Sequence, residues 1–123
     1  MIMPPAIPTI DVAEAERRLR EDPSEPILLD VREPHEFVEV RVPGALLLPT
    51  SVFMARIGEI PPDRPLLVVC HVGGRSAAVV GYLIRAGRSD VVNVAGGMDA
   101  WSRAGLPVRR GPLEPGEGAL PAG

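Results

Sequence analysis

The chain has no lysine and no glutamine, and one residue each of cysteine, asparagine, tryptophan and tyrosine. All thirteen basic residues are arginine, and fifteen residues are proline. That bias suits a heat-adapted protein; a GC-rich coding sequence, the more neutral explanation, produces it as well. A single cysteine, Cys70, excludes an intramolecular disulfide and points to a reducing, cytoplasmic compartment. No apolar run approaches the length of a membrane span. Met1 to Ile10 holds three prolines and no basic residue, so it does not read as a signal peptide. A net charge of −3 leaves no bulk positive field to hold a nucleic acid. With 123 residues, 46% of them hydrophobic and 24% charged, the chain is long enough for one domain around one core. The acidic balance, without a long exposed apolar stripe, fits a monomer.

What is present gathers around Leu66 to Ala77, L-L-V-V-C-H-V-G-G-R-S-A. Four apolar residues are too few for a helix and read as a buried strand. Ser76-Ala77-Ala78 reads as a helix start with Ser76 near the cap. A strand, tight loop and helix aim backbone N–H groups and a helix N-terminus at whatever the loop holds, here Cys70. With Arg75 nearby, such donors pull a thiol below its ordinary pKa of about 8.5. Gly73 and Gly74 let the loop curl around the sulfur. The plain alternative is a small buried hydrophobe at position 70, with Arg75 as a solvated charge and His71 as a loop residue. A glycine-lined concavity is hard to explain as core.

Cys70-His71-Val72-Gly73-Gly74-Arg75-Ser76 resembles the active-site loop of the rhodanese family of sulfurtransferases, C-x-x-G-x-R-S. Leu29-Asp30-Val31-Arg32-Glu33 with Glu36-Phe37 resembles the family's D-V-R-E-x-x-E-F segment, and Val42-Pro43-Gly44-Ala45 its I-P-G-A turn. Gly96-Gly97-Met98-Asp99-Ala100-Trp101 and Ala104-Gly105-Leu106-Pro107-Val108 resemble the closing G-G-x-x-A-W and A-G-x-P-V signature. The motifs are collinear and correctly spaced over about residues 8 to 110. The chain departs at Val40-Arg41, where the family often has Gly-His.

In chain order, residues 1–7 read as a flexible arm, and Thr9-Ile10 as a short strand. Asp11-x-x-Glu14 resembles a capping box opening a helix to about Arg20. Ile27 to Val31 reads as a strand. Pro34 to Glu39 reads as a short helix anchored by Phe37, and Ala45 to Leu48 as a strand. Thr50 or Ser51 caps a helix through about Glu59. After the strand Leu66 to Val69, a helix runs from Ser76 to Ala86 and ends at Gly87. Val91 to Val94 is a fifth strand and Met98 to Ala104 a last helix, with Trp101 in the core. Residues 111–123, rich in Gly and Pro, read as a disordered tail. Strands alternating with helices predict an α/β domain, a mainly parallel sheet covered on both faces. The resemblance implies a five-stranded, single-domain fold with strand order 1-5-4-2-3. That order places Asp30 and Arg32 beside Cys70, where open α/β sheets hold ligands.

The expected chemistry is sulfur transfer. Arg75, together with Arg32 or Arg41, holds an anionic donor such as thiosulfate. The Cys70 thiolate takes the outer sulfur as a persulfide. N–H groups from His71 to Ser76 steady its terminal sulfur. Cyanide or a small-molecule or protein thiol then removes it. The route needs no metal or organic cofactor. Without a second cysteine, the accepting thiol comes from another molecule. Asp30 reads equally as a structural acceptor. Two other readings stay open: a non-catalytic binding or redox-sensing module using Cys70, and a cysteine phosphatase or arsenate reductase. The second needs five residues between Cys and Arg; here four intervene, a cradle better suited to a sulfur atom than to a tetrahedral oxyanion.

Overall fold

The computed structural model describes residues 6–121. Five strands, β1 (Thr9–Ile10), β2 (Ile27–Asp30), β3 (Leu46–Leu47), β4 (Leu66–Val69) and β5 (Val91–Val94), form one sheet in the order β1-β5-β4-β2-β3, with every adjacent pair parallel. Between them run α1 (Val12–Glu21), α2 (Pro34–Glu39), α3 (Phe53–Arg56) and α4 (Gly74–Arg85), and α5 (Gly97–Arg103) follows β5. The expected α/β architecture is the one found.

Alternation along the central strands divides the core into two layers. Ile27, Leu29, Val31, Leu66, Val68 and Cys70 pack with Phe53 of α3 and with Val79, Val80 and Leu83 of α4. Leu28, Leu67 and Val69 face the other way, onto Ala15 of α1, Phe37 of α2, and Met98 and Trp101 of α5. Both faces of the two central strands are buried, which is why these segments read as unbroken apolar runs. Trp101 is a core residue, its Nε1–H donating to the Pro107 carbonyl at 2.8 Å.

Helix starts follow local chemistry. Asp11 caps α1, its Oδ1 accepting the Glu14 N–H at 2.8 Å. Pro34 occupies the first turn of α2. The helix expected from Thr50 or Ser51 to Glu59 is instead a four-residue α-turn between two 3-10 turns, Thr50–Val52 and Ile57–Glu59. Neither hydroxyl caps it. Both donate to the Glu33 carboxylate, which also accepts the Ser51 N–H.

The two terminal segments fare differently. Met1 to Pro5 of the arm lie outside the described residues, but Ile7 packs on the core layer beside α4. Residues 111–123 do not behave as a disordered tail as far as Pro121, the last described residue. Arg41 is fully buried, and its guanidinium donates to Glu117 and to the carbonyls of Gly111 and Pro112. The Gly118 carbonyl accepts the Leu47 N–H at 2.7 Å, covering the outer edge of β3, and Leu120 packs against the core. A buried cation needs a counter-charge and acceptors, and the segment supplies both despite its composition.

Candidate active site

Cys70 follows the last residue of β4, at the C-terminal ends of the strands. Gly73 adopts φ +114°, a conformation L side chains avoid, and so turns the chain directly into α4. The helix starts at Gly74, two residues before the expected position. Ser76 is therefore not the cap; it sits one turn in, with its hydroxyl facing the sulfur.

Cys70 Sγ accepts the Gly73 N–H at 3.1 Å and lies 3.3 Å from Ser76 Oγ. Burial is the largest single influence on the thiol and pushes its pKa up. Hydrogen bonds from the Ser76 hydroxyl and from the N–H groups of Ser76, Gly73 and Val72 outweigh it together, and the pKa falls below its ordinary value. These donors carry the largest part of the effect. The N–H groups of Gly74, Arg75 and Ser76 open α4, where the helix itself offers them no carbonyl.

The loop is held from below by α5. Met98 N–H donates to the Cys70 carbonyl at 2.8 Å and Asp99 N–H to the His71 carbonyl at 2.9 Å. With its carbonyls drawn down, the loop keeps its N–H groups turned to the sulfur. This approach requires glycine at 97. A Cβ there would stand 2.3 Å from the Cys70 oxygen and 2.5 Å from that of His71, and φ is +57°.

The arginines differ from expectation. Arg32 is 2% exposed; its guanidinium forks onto Asp30 and reaches the carbonyls of Glu36 and Val40. Asp30 also accepts the Arg32 N–H. The two are each other's partners, a buried strut under the site. Arg41 is committed to the C-terminal segment. Arg75 does stand at the loop, half-buried, but its two terminal nitrogens donate to Glu36 at 2.7 and 2.9 Å. Glu36, reached by that pair and by the Glu33 N–H at 3.0 Å, has its pKa lowered to about 2, chiefly by the Arg75 hydrogen bond. Its carboxylate raises the pKa of Arg75 in turn, and the Cys70 charge adds to this. The side chains of His71 and Val72 point to solvent.

Two residues not among the expected site residues belong to this arrangement. Glu36 fixes Arg75; a glutamate one turn into a helix that begins beside Arg32 was the available signal. Asn93 lies on β5, 7% exposed, with its Oδ1 2.5 Å from Ser76 Oγ. A lone amide inside a valine strand was the signal there. Two cavities, of about 330 and 270 Å³, open at the opposite end of the sheet along Pro26 and include none of these residues. Among the described residues no helix is long and apolar enough to cross a membrane.

A five-stranded parallel sheet with a cysteine loop between its central strand and the following helix defines an α/β protein with a cradle of donors around a thiol. The model of the rhodanese-like domain matches residues 11–104, and the chain belongs to that family. It is 38% identical over 99 residues to a sulfurtransferase of Allochromatium vinosum, covering 80% of this chain and 92% of that one. It is 37% identical over 75 residues to the thiosulfate sulfurtransferase GlpE of Pseudomonas syringae pv. syringae, covering 61% and 71%. Among solved structures, a rhodanese-related protein from Thermoplasma volcanium superposes with a TM-score of 0.72 at 30% identity, over 83% of this chain and 97% of that one. These relatives support a transferase of the rhodanese type.

Proposed function

We propose that the protein transfers a sulfane sulfur from thiosulfate or a persulfide to a thiophilic acceptor through a persulfide on Cys70. The observation that carries this reading is the cradle itself: a sulfur at a strand end, with the Gly73 N–H and the Ser76 hydroxyl within hydrogen-bond range. The Cys70 thiolate attacks the outer sulfur of thiosulfate. Its electron pair forms the new S–S bond, while the old S–S bond breaks and its pair leaves on sulfite. The product is a Cys70 persulfide anion, one sulfur atom longer than the thiolate. Its terminal sulfur reaches the N–H groups that open α4. Cyanide or an external thiolate then attacks that sulfur and restores the Cys70 thiolate. Cys70 is 1% exposed, so the exposed His71-Val72 segment yields for a donor to enter.

The charge balance bears on the donor. The guanidinium groups expected to hold thiosulfate are neutralised by Glu36, Asp30 and Glu117. Recognition then falls to neutral N–H dipoles, which favours a donor of low charge, such as an organic persulfide, over the thiosulfate dianion. The test is intact mass after incubation of the reduced protein with thiosulfate or with a persulfide, beside Cys70→Ser. A gain of one sulfur atom on the wild type alone, released by cyanide as thiocyanate, is expected. No gain from either donor, with Cys70 still open to alkylation, would rule out the transferase reading and leave a binding or sensing module.

A further inference from the structure

Ser76 Oγ has one hydrogen and three atoms around it that could accept it. Asn93 Oδ1 lies at 2.5 Å, the Gly73 carbonyl at 3.2 Å and Cys70 Sγ at 3.3 Å. Ser76 is fully buried and Asn93 nearly so, so water cannot easily make up what the hydroxyl does not give. When Cys70 carries a proton, one chain links all three side chains: S–H to Ser76 Oγ, and Oγ–H to Asn93 Oδ1. An anionic sulfur breaks that chain. It has no proton to give and takes the Ser76 hydrogen, leaving Oγ to accept from elsewhere. A carboxamide, unlike a carboxylate or a hydrocarbon, can turn its N–H to that oxygen.

We infer that Asn93 is a positioning residue for Cys70, acting through Ser76: its carboxamide presents oxygen while the sulfur is a thiol and N–H while it is a thiolate or persulfide anion. The inference rests on the sulfur-transfer reading for its purpose, but its test does not depend on transfer. The charged and titratable groups around Cys70 are His71 in its own loop, Arg75 on α4 with Glu36 of α2, Asp30 and Arg32 at the end of β2, and Asp99 on α5. All but His71 and Asp99 are paired with one another across the site, and Asp99 pairs with Arg103.

The chain makes the test direct, because Asn93 is its only asparagine and there is no glutamine. A proton–nitrogen correlation spectrum therefore carries one side-chain carboxamide pair. In the wild-type protein that pair should titrate with the midpoint at which Cys70 becomes open to iodoacetamide. The shift should vanish in Cys70→Ser and shrink at least threefold in Ser76→Ala. An amide pair that ignores the thiol's ionisation overturns the inference, as does a shift of undiminished size in Ser76→Ala. As a second measurement, Asn93→Asp locks the oxygen-presenting state and should raise the alkylation midpoint by about one pH unit, roughly a fivefold slower reaction at the wild-type midpoint. An unchanged midpoint in a folded Asn93→Asp protein also overturns it. Thiosulfate and persulfide loading of the same samples reports separately on the transferase reading, which can fail while the relay stands.

Discussion

Replacing Gly97 by alanine tests how the site is held. The added Cβ would stand 2.3 Å from the Cys70 carbonyl oxygen, 2.5 Å from that of His71 and 2.7 Å from the His71 carbonyl carbon. All three are backbone atoms, so no flexible side chain can move aside. The backbone at φ +57° adds roughly 1–2 kcal/mol for any L side chain. Relief of the clash by shifting packed elements costs a further ~1–3 kcal/mol. Together the loss is about 2–5 kcal/mol, a large part of the roughly 5–15 kcal/mol that holds a domain folded. Relief also means moving α5 away from the loop. The Met98 and Asp99 N–H groups would then release the two carbonyls, and the N–H groups above would lose their aim. A misplacement of about 1 Å in such a site costs on the order of 100-fold in rate. Gly58 is the control, since a Cβ there meets nothing within 4 Å and its φ is not positive. Gly58→Ala should stay within about 0.5 kcal/mol of the wild type. Urea unfolding of the three proteins, with Cys70 persulfide loading followed by mass, measures both effects. A Gly97→Ala protein within 1 kcal/mol of the wild type, loading at the wild-type rate, would refute this account of the glycine.

Other outcomes follow from the same geometry. Glu36→Gln should free Arg75 to hold an anion and lower the KM for thiosulfate several-fold, with a smaller drop for a singly charged persulfide; steady-state kinetics with both donors decide it. Arg41→Ala should cost about 3–5 kcal/mol, as expected when one partner of a buried pair is removed, while Glu114→Ala, at an exposed position, should change little; thermal unfolding compares them. The carboxyl of Glu36 is depressed in the folded protein, so its stabilisation is full above its unfolded value near 4.5 and lost as pH falls toward about 2. Thermal scans across that window should show a shallower fall in Tm for Glu36→Gln than for the wild type; parallel curves would count against the pair. For Cys70, also depressed, stability should rise with pH until the unfolded thiol itself ionises near ~8.5, and Cys70→Ser should lack that rise.

Much of the framework was legible because it depends on local pattern. Strands β2 and β4 are buried on both faces and show it as apolar runs, and α2 was readable from Pro34 and Phe37 to its last residue. The strand order was not read from pattern; it came with the likeness to a family. The roles of the arginines were out of reach. A guanidinium is positioned by partners far along the chain, and nothing near Arg41 in sequence announces Glu117. Arg32 and Asp30 stand two residues apart, and that short spacing was the available signal for their mutual pairing. The C-terminal segment misled because composition measures what a stretch can bury by itself, not what a buried cation elsewhere demands of it. The helix start at Gly74 was missed because a left-handed glycine, not a hydroxyl, makes the turn.

The Arg41–Glu117 pair spans 76 residues. At a synthesis rate of roughly 5–20 residues per second, Arg41 leaves the ribosome about 4–15 s before its counter-charge does. Through that interval the guanidinium stays in water, the pocket that will take it stays open, and β3 shows a bare edge to any neighbouring chain. The Cys70 loop can be assembled from residues 30 to 99, already made by then. The protein thus makes the residues of its reactive centre before the segment that covers its own flank.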